Sequence, residues 1–114
     1  MTIREVAEGL ALTVLTGEES LVREITGGYA SDLLSDVIAH GQPGNLWVTL
    51  QTHANVIAVA VLKELAAVVL VNGRQPEPET LAKARQQNVT VLSSRLPSFE
   101  LVGRLYQIGI RGGQ

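Results

Sequence analysis

No cysteine occurs in the 114 residues, which excludes a disulfide framework, a thiolate nucleophile and a cysteine-rich zinc site. Histidine is nearly as scarce: His40 and His53 are the two present, too few for a metal centre, and none is expected. Aromatic residues make up 4% of the chain, leaving little ring surface on which bases or sugars could stack. Nine Lys and Arg against eleven Asp and Glu give a formal net charge of −2. No basic stripe of the kind that neutralises phosphates is visible, so nucleic acid is not an expected partner. The longest apolar run, Val56 to Leu62, is far short of the ~20 residues that cross a bilayer. Arg4, Glu5 and Glu8 interrupt the N-terminal apolar residues in a way a signal peptide does not. No membrane partner is expected, and the expected location is cytoplasmic.

What the chain does have is aliphatic bulk: 46% of it is hydrophobic, with eleven glycines. With so few rings the core has to be built from Val, Leu, Ile and Ala, which favours a sheet covered by helices. The length suits one domain over residues 1–114. Thr2 is placed to cap a short helix whose apolar face carries Ile3, Val6 and Leu10. A strand follows through Leu12, Val14 and Leu15, then a turn over Glu18–Ser20. Leu21–Ile25 alternates like a second strand, with Thr26-Gly27-Gly28 breaking it. Ser31-Asp32 opens a short helix through Leu34, Val37 and Ile38, ending near His40-Gly41.

The second half is more regular. It predicts a strand over Leu46–Leu50, a helix over Ala54–Ala66, and a strand over Ala67–Val71. A helix over Pro78–Gln87, a strand over Val89–Leu92 and a helix over Pro97–Tyr106 complete it. Such alternation implies an α/β fold, a mostly parallel sheet covered by helices on both faces. Residues 109–114, rich in glycine, are expected to form a flexible tail.

In a parallel sheet, ligands gather where the carboxyl ends of strands meet helix N-termini. Three connections fall there: Gln51-Thr52-His53, Asn72-Gly73-Arg74 and Ser93-Ser94-Arg95. Thr52, His53, Asn72, Arg74, Ser93 and Ser94 are therefore the candidate ligand-binding residues, suited to a small anion such as a phosphate or carboxylate. The same residues serve as helix caps and turns, which every α/β domain needs and which by themselves account for their positions. Asp32 and Asp36 stand i,i+4 and would share one helical face. With His53 they could support a small enzyme at the sheet edge, although capping explains them too. No catalytic set is assembled with supporting context, and no Walker A loop occurs.

Two stretches carry a resemblance. One runs Ile25-Thr26-Gly27-Gly28-Tyr29-Ala30-Ser31-Asp32-Leu33-Leu34-Ser35-Asp36-Val37; the other is Leu46-Trp47-Val48-Thr49-Leu50-Gln51-Thr52-His53-Ala54-Asn55. Together with Val71-Asn72-Gly73-Arg74-Gln75-Pro76, Thr90–Ser94 and Phe99–Leu105, they resemble stand-alone DRTGG-domain proteins over nearly the whole chain. The literal DRTGG string is absent; its nearest echo is Arg23-Glu24-Ile25-Thr26-Gly27-Gly28. This family is similar to the N-terminal, non-catalytic domain of HPr kinase/phosphorylase, and the first domain of Mur ligases is a more distant likeness through Pro43-Gly44-Asn45-Leu46-Trp47. The resemblance implies an HPr kinase N-terminal-domain-like fold and a regulatory or assembly role. It supplies no catalytic residues. The function expected is a non-enzymatic regulatory module without a cofactor, a homodimer that binds a protein partner or a small anionic metabolite.

Overall fold

The computed structural model describes residues 1–112. The elements run α1 (Ile3–Gly9), β1 (Thr13–Thr16), a 3₁₀ turn (Glu18–Ser20), β2 (Gly27–Ala30), α2 (Leu34–His40), β3 (Asn45–Thr49), α3 (Asn55–Leu62), β4 (Ala67–Leu70), α4 (Pro78–Gln87), β5 (Thr90–Ser93) and α5 (Ser98–Gln107). The five strands order β1-β5-β4-β3-β2. Strands β2 to β5 are parallel, and β1 joins the β5 edge antiparallel. The fold is the α/β sheet, mostly parallel, that the alternation implies.

The pleat divides the aliphatic residues into two cores. Trp47, Val68 and Val91 lie in one register row and pack with Val37 of α2, Val56, Ile57 and Ala60 of α3, and Ala84 of α4. Val48, Val69 and Leu92 form the next row and pack with Ile3 and Val6 of α1 and Leu101 and Leu105 of α5. Because successive side chains point to opposite faces, a continuous run such as Ala67–Val71 feeds both cores at once. Trp47 is fully buried, and its indole N–H donates to the Ser31 carbonyl at 2.8 Å.

Helix ends follow one pattern. In α1, α3, α4 and α5 the chain turns left-handed just past the helix, at Ala11, Glu64, Asn88 and Gly109. The amide after each reaches back to close the turn: Leu12 to Ala7, Leu65 to Ala60, Val89 to Ala84 and Ile110 to Leu105. These are Schellman closures, in which the residue after the left-handed one is apolar and packs down. Leu12, Leu65, Val89 and Ile110 are all buried. The motif ends α3 at Leu62, earlier than the expected Ala66, because a left-handed glutamate gives no sign in a sequence.

Three further expectations are corrected. Leu21–Ile25 is not a strand: its carbonyls at Leu21 and Arg23 accept the amides of Arg4 and Ile3, the otherwise unpaired first donors of α1. Gly27-Gly28 does not break a strand but belongs to β2. Glycine eases packing there, since a Cβ on Gly28 would sit 3.2 Å from the Ile110 side chain, a close approach of two chain segments. The reason is the third correction. Residues 109–112 do not fray: Ile110 is buried, the Gly28 amide donates to the Arg111 carbonyl at 2.8 Å, and Gly112 bridges Gly28 in parallel. They run beside the edge strand β2 and occupy backbone groups that an edge leaves open. The rest of the expected tail, Gly113 and Gln114, lies outside the described residues.

Candidate functional site

The parallel strands deliver their carboxyl ends to one rim of the sheet, where the loops after β2, β3, β4 and β5 meet. On the β2–β3 side, Asp32 Oδ1 accepts the Thr49 hydroxyl at 2.9 Å and the Leu50 amide at 2.7 Å. Gln51 donates from Nε2 to the Asp32 carbonyl. The Thr52 carbonyl receives the Thr80 hydroxyl at 2.7 Å and the Glu77 amide, tying the loop after β3 to the start of α4. His53 Nδ1 accepts the Asn55 amide at 3.2 Å, so the imidazole caps the first turn of α3.

The loop after β4 is a tight turn. Asn72 and Gly73 are both left-handed, and the Arg74 amide closes onto the Val71 carbonyl at 3.1 Å, the pattern of a type I′ turn. Its other amides are also used: Asn72 donates to the Leu96 carbonyl and Gly73 to the Ser94 carbonyl. The Ser94 amide donates to the Leu70 carbonyl, and the Ser94 hydroxyl accepts the Leu96 amide at 3.1 Å. These backbone donors are committed within the protein. At this turn an anion would be held by side chains rather than by the amides of Asn72, Gly73, Arg74, Ser94 and Leu96.

The structure does not gather the six candidate residues into one cavity. Ser93 and Ser94 line a cleft of about 650 Å³ together with Thr13, Gly73, Gln75, Arg95, Leu96 and Arg104. His53 opens instead onto a groove of about 410 Å³ between α3 and α4, beside Glu79 and Lys83. Thr52, Asn72 and Arg74 line neither. Arg95 is exposed, and Arg104 keeps only a 3.7 Å contact with Glu100 on its own helix. Both guanidinium groups at the cleft were outside the expected set. Arg95 stood in the Ser93-Ser94-Arg95 connection and could have been included; Arg104 lies on α5, and nothing local marks it.

A family model for the DRTGG domain matches residues 5–108. The chain belongs to the DRTGG domain family. No curated protein matches the sequence. Among solved structures, this DRTGG domain is similar to the crystal structure of the CBS and DRTGG domains of the regulatory region of Clostridium perfringens pyrophosphatase, complexed with the activator diadenosine tetraphosphate. The TM-score is 0.72 at 15% identity, over 90% of this chain and 44% of that one. At that identity the likeness is one of fold, and this chain spans less than half of the neighbour's length.

The DRTGG domain also carries a polar cluster that the spacing of its carboxylates misplaced. Asp32 precedes α2, so it does not share a helical face with Asp36. Asp36 instead accepts the Tyr29 hydroxyl at 2.8 Å and meets His40 Nδ1 at 3.1 Å, in a depression of about 540 Å³ also lined by Gln42 and Asn45. The Tyr29 hydrogen bond, then those of Ser31 and His40, hold the Asp36 carboxyl below the ordinary carboxylate range. The same bond raises the Tyr29 phenol. The i,i+4 spacing of Asp36 and His40 was the available signal. With Asp32 bonded to Thr49 and Leu50, and Asp36 to Tyr29 and His40, no hydrogen bond joins either carboxylate to His53. Among the described residues no group of three or more His, Asp or Glu side chains could hold a metal ion, and no helix is long and apolar enough to cross a membrane.

Proposed function

We propose that this DRTGG domain is a non-catalytic regulatory module acting in the cytoplasm, a homodimer that binds a small phosphorylated metabolite at the cleft beside β5. The observation that carries the reading is the placement of Arg95 on that cleft with Ser93, Ser94 and Gln75, with Arg104, paired to Glu100, at its edge. Guanidinium groups bind phosphate bidentately, and hydroxyls and amides complete its coordination. With the amides of Asn72, Gly73, Arg74, Ser94 and Leu96 committed, these side chains supply further donors. Membership of the DRTGG family supports a regulatory role, and the pyrophosphatase region of similar fold is crystallised with a dinucleotide activator. A polyphosphate nucleotide is accordingly the first class to try. Near-absence of aromatic surface leaves the phosphates, rather than base stacking, as the main handle. A site built by a few exposed side chains gives modest affinity, in keeping with a sensor of metabolite concentration.

The test is thermal unfolding of the protein with inorganic phosphate, ATP or diadenosine tetraphosphate. Saturation at about 100 Kd stabilises by about 2.7 kcal/mol, and Arg95→Glu should abolish the shift while leaving the unliganded melting temperature in place. Absence of a shift with all three compounds overturns the metabolite reading and leaves a protein partner as the ligand of the module.

A further inference from the structure

We propose that the outward face of α5 is the contact through which two copies of this chain pair, the helices antiparallel about a two-fold axis. The inference rests on the dimer reading above and names its surface. Leu101 and Leu105 turn into the core; the opposite side of the helix carries Phe99, Gly103 and Tyr106 at i, i+4 and i+7, one continuous stripe. Phe99 is 91% exposed and Tyr106 56%, with the Arg111 guanidinium over one face of the Tyr106 ring, although the protein has only four other aromatic or near-aromatic opportunities to spend rings, its Trp, second Tyr and two His. Gly103 lies between the two rings, and a Cβ there would meet nothing within 4 Å. Its own fold therefore gives no steric reason for glycine at a mid-helix position where alanine is about 1 kcal/mol better. The stripe has a notch of about 480 Å³ over Gly103, wide enough to let another helix come close.

The occupant follows from symmetry and charge. The midpoint between Phe99 and Tyr106 falls between Val102 and Gly103. A two-fold axis there sets Phe99 level with the partner's Tyr106, and the reverse. The same axis brings Glu100 within one residue rise, about 1.5 Å along the helix, of the partner's Arg104. Both belong to the same flank of the stripe, so an antiparallel pair aligns opposite charges twice, whereas a parallel two-fold pair carries the two flanks to opposite sides and brings neither Glu100 beside the partner's Arg104. An isologous contact is self-complementary in this way.

Sedimentation of the full chain across micromolar concentrations tests it. The wild type should be a dimer; Phe99→Glu and Tyr106→Glu should each weaken dimerisation at least tenfold with unchanged circular dichroism, because neither ring is part of the core. Gly103→Ala should raise the melting temperature of the monomer while weakening the dimer. Glu100→Lys and Arg104→Glu should each weaken self-association, yet an equimolar mixture of the two should associate, since only the mixed pair restores both cross-helix ion pairs. A monomeric wild type overturns the dimer reading and this surface together. A wild-type dimer that survives both Glu substitutions overturns the α5 surface alone. A mixture that stays monomeric overturns the antiparallel register.

Discussion

Asp32 holds Thr49 in place at the end of β3. Its Oδ1 accepts the Thr49 hydroxyl at 2.9 Å, and the same atom takes the next amide, that of Leu50, at 2.7 Å. Thr49 is buried, so a single carboxylate oxygen keeps a core hydroxyl satisfied and fixes where the loop after β3 leaves the sheet. Asp32→Ala should destabilise the protein by about 1–3 kcal/mol in urea unfolding, the range for removing a charged acceptor and stranding a buried donor. Asp32→Asn keeps an oxygen able to accept both bonds and should lose less. Equal losses for the two substitutions would count against this arrangement.

The left-handed helix closures make an unusual forecast. Ala11 and Glu64 occupy positive φ without being glycine, a conformation costing L-residues about 1–2 kcal/mol. Part of that is offset by the greater chain entropy glycine loses on folding. Ala11→Gly and Glu64→Gly should therefore each raise stability, by up to about 1 kcal/mol, seen as a higher melting temperature in calorimetry. A decrease in either would show that the residue's side chain contributes more than its backbone costs.

Two glycines should respond differently to the same substitution. Gly17 is left-handed, and a Cβ there would lie 2.6 Å from the Thr90 Cα, backbone that cannot swing aside. Gly17→Ala should combine the left-handed cost with about 1–3 kcal/mol of overpacking. Gly73 has comparable φ but open space around it, so Gly73→Ala should cost only about 1 kcal/mol. Denaturant midpoints of the two variants should separate clearly.

How much of this was readable beforehand divides along a physical line. The aliphatic runs at Leu46–Leu50 and Ala67–Val71 announced central strands, because a strand buried on both faces has no polar side to blur it. The α4 boundaries were legible from Pro78 and Asn88, residues with strong local preferences. Leu21–Ile25 misled, since alternation of Leu21, Arg23 and Ile25 reads the same whether the backbone pairs with a strand or with the amides of α1. Gly27-Gly28 misled for a related reason: glycine marks a close approach as well as a turn, and the approaching residue, Ile110, is over eighty positions away along the chain. At the rim, topology was enough to place Ser93 and Ser94 at the ends of the strands. It does not place Arg104, because only the tertiary fold brings α5 to that edge.

The Tyr29–Asp36 bond gives a pH dependence with a definite sign. Asp36 is held below the ordinary carboxylate range, chiefly by the Tyr29 hydroxyl, so its contribution to stability is present above the ordinary carboxyl value and is lost as pH falls through the depressed one. Tyr29 is raised by the same bond; its contribution is present below the ordinary phenol value and lost as pH rises through the raised one. Tyr29→Phe should move the Asp36 titration upward, toward the ordinary range, in carboxyl NMR. An unmoved Asp36 would mean that another group sets its charge.

The bond from Trp47 to the Ser31 carbonyl has a use beyond packing. Trp47 is the chain's sole tryptophan, its ring is sealed from water, and its N–H is tied to the residue preceding Asp32. Tryptophan emission from this protein therefore comes from one site, and a buried indole tied to the rim of the sheet should emit toward the blue. Any event that lifts the Ser31–Asp32 loop breaks the bond, admits solvent and moves the emission to the red. The protein carries its own optical gauge of whether that rim is closed.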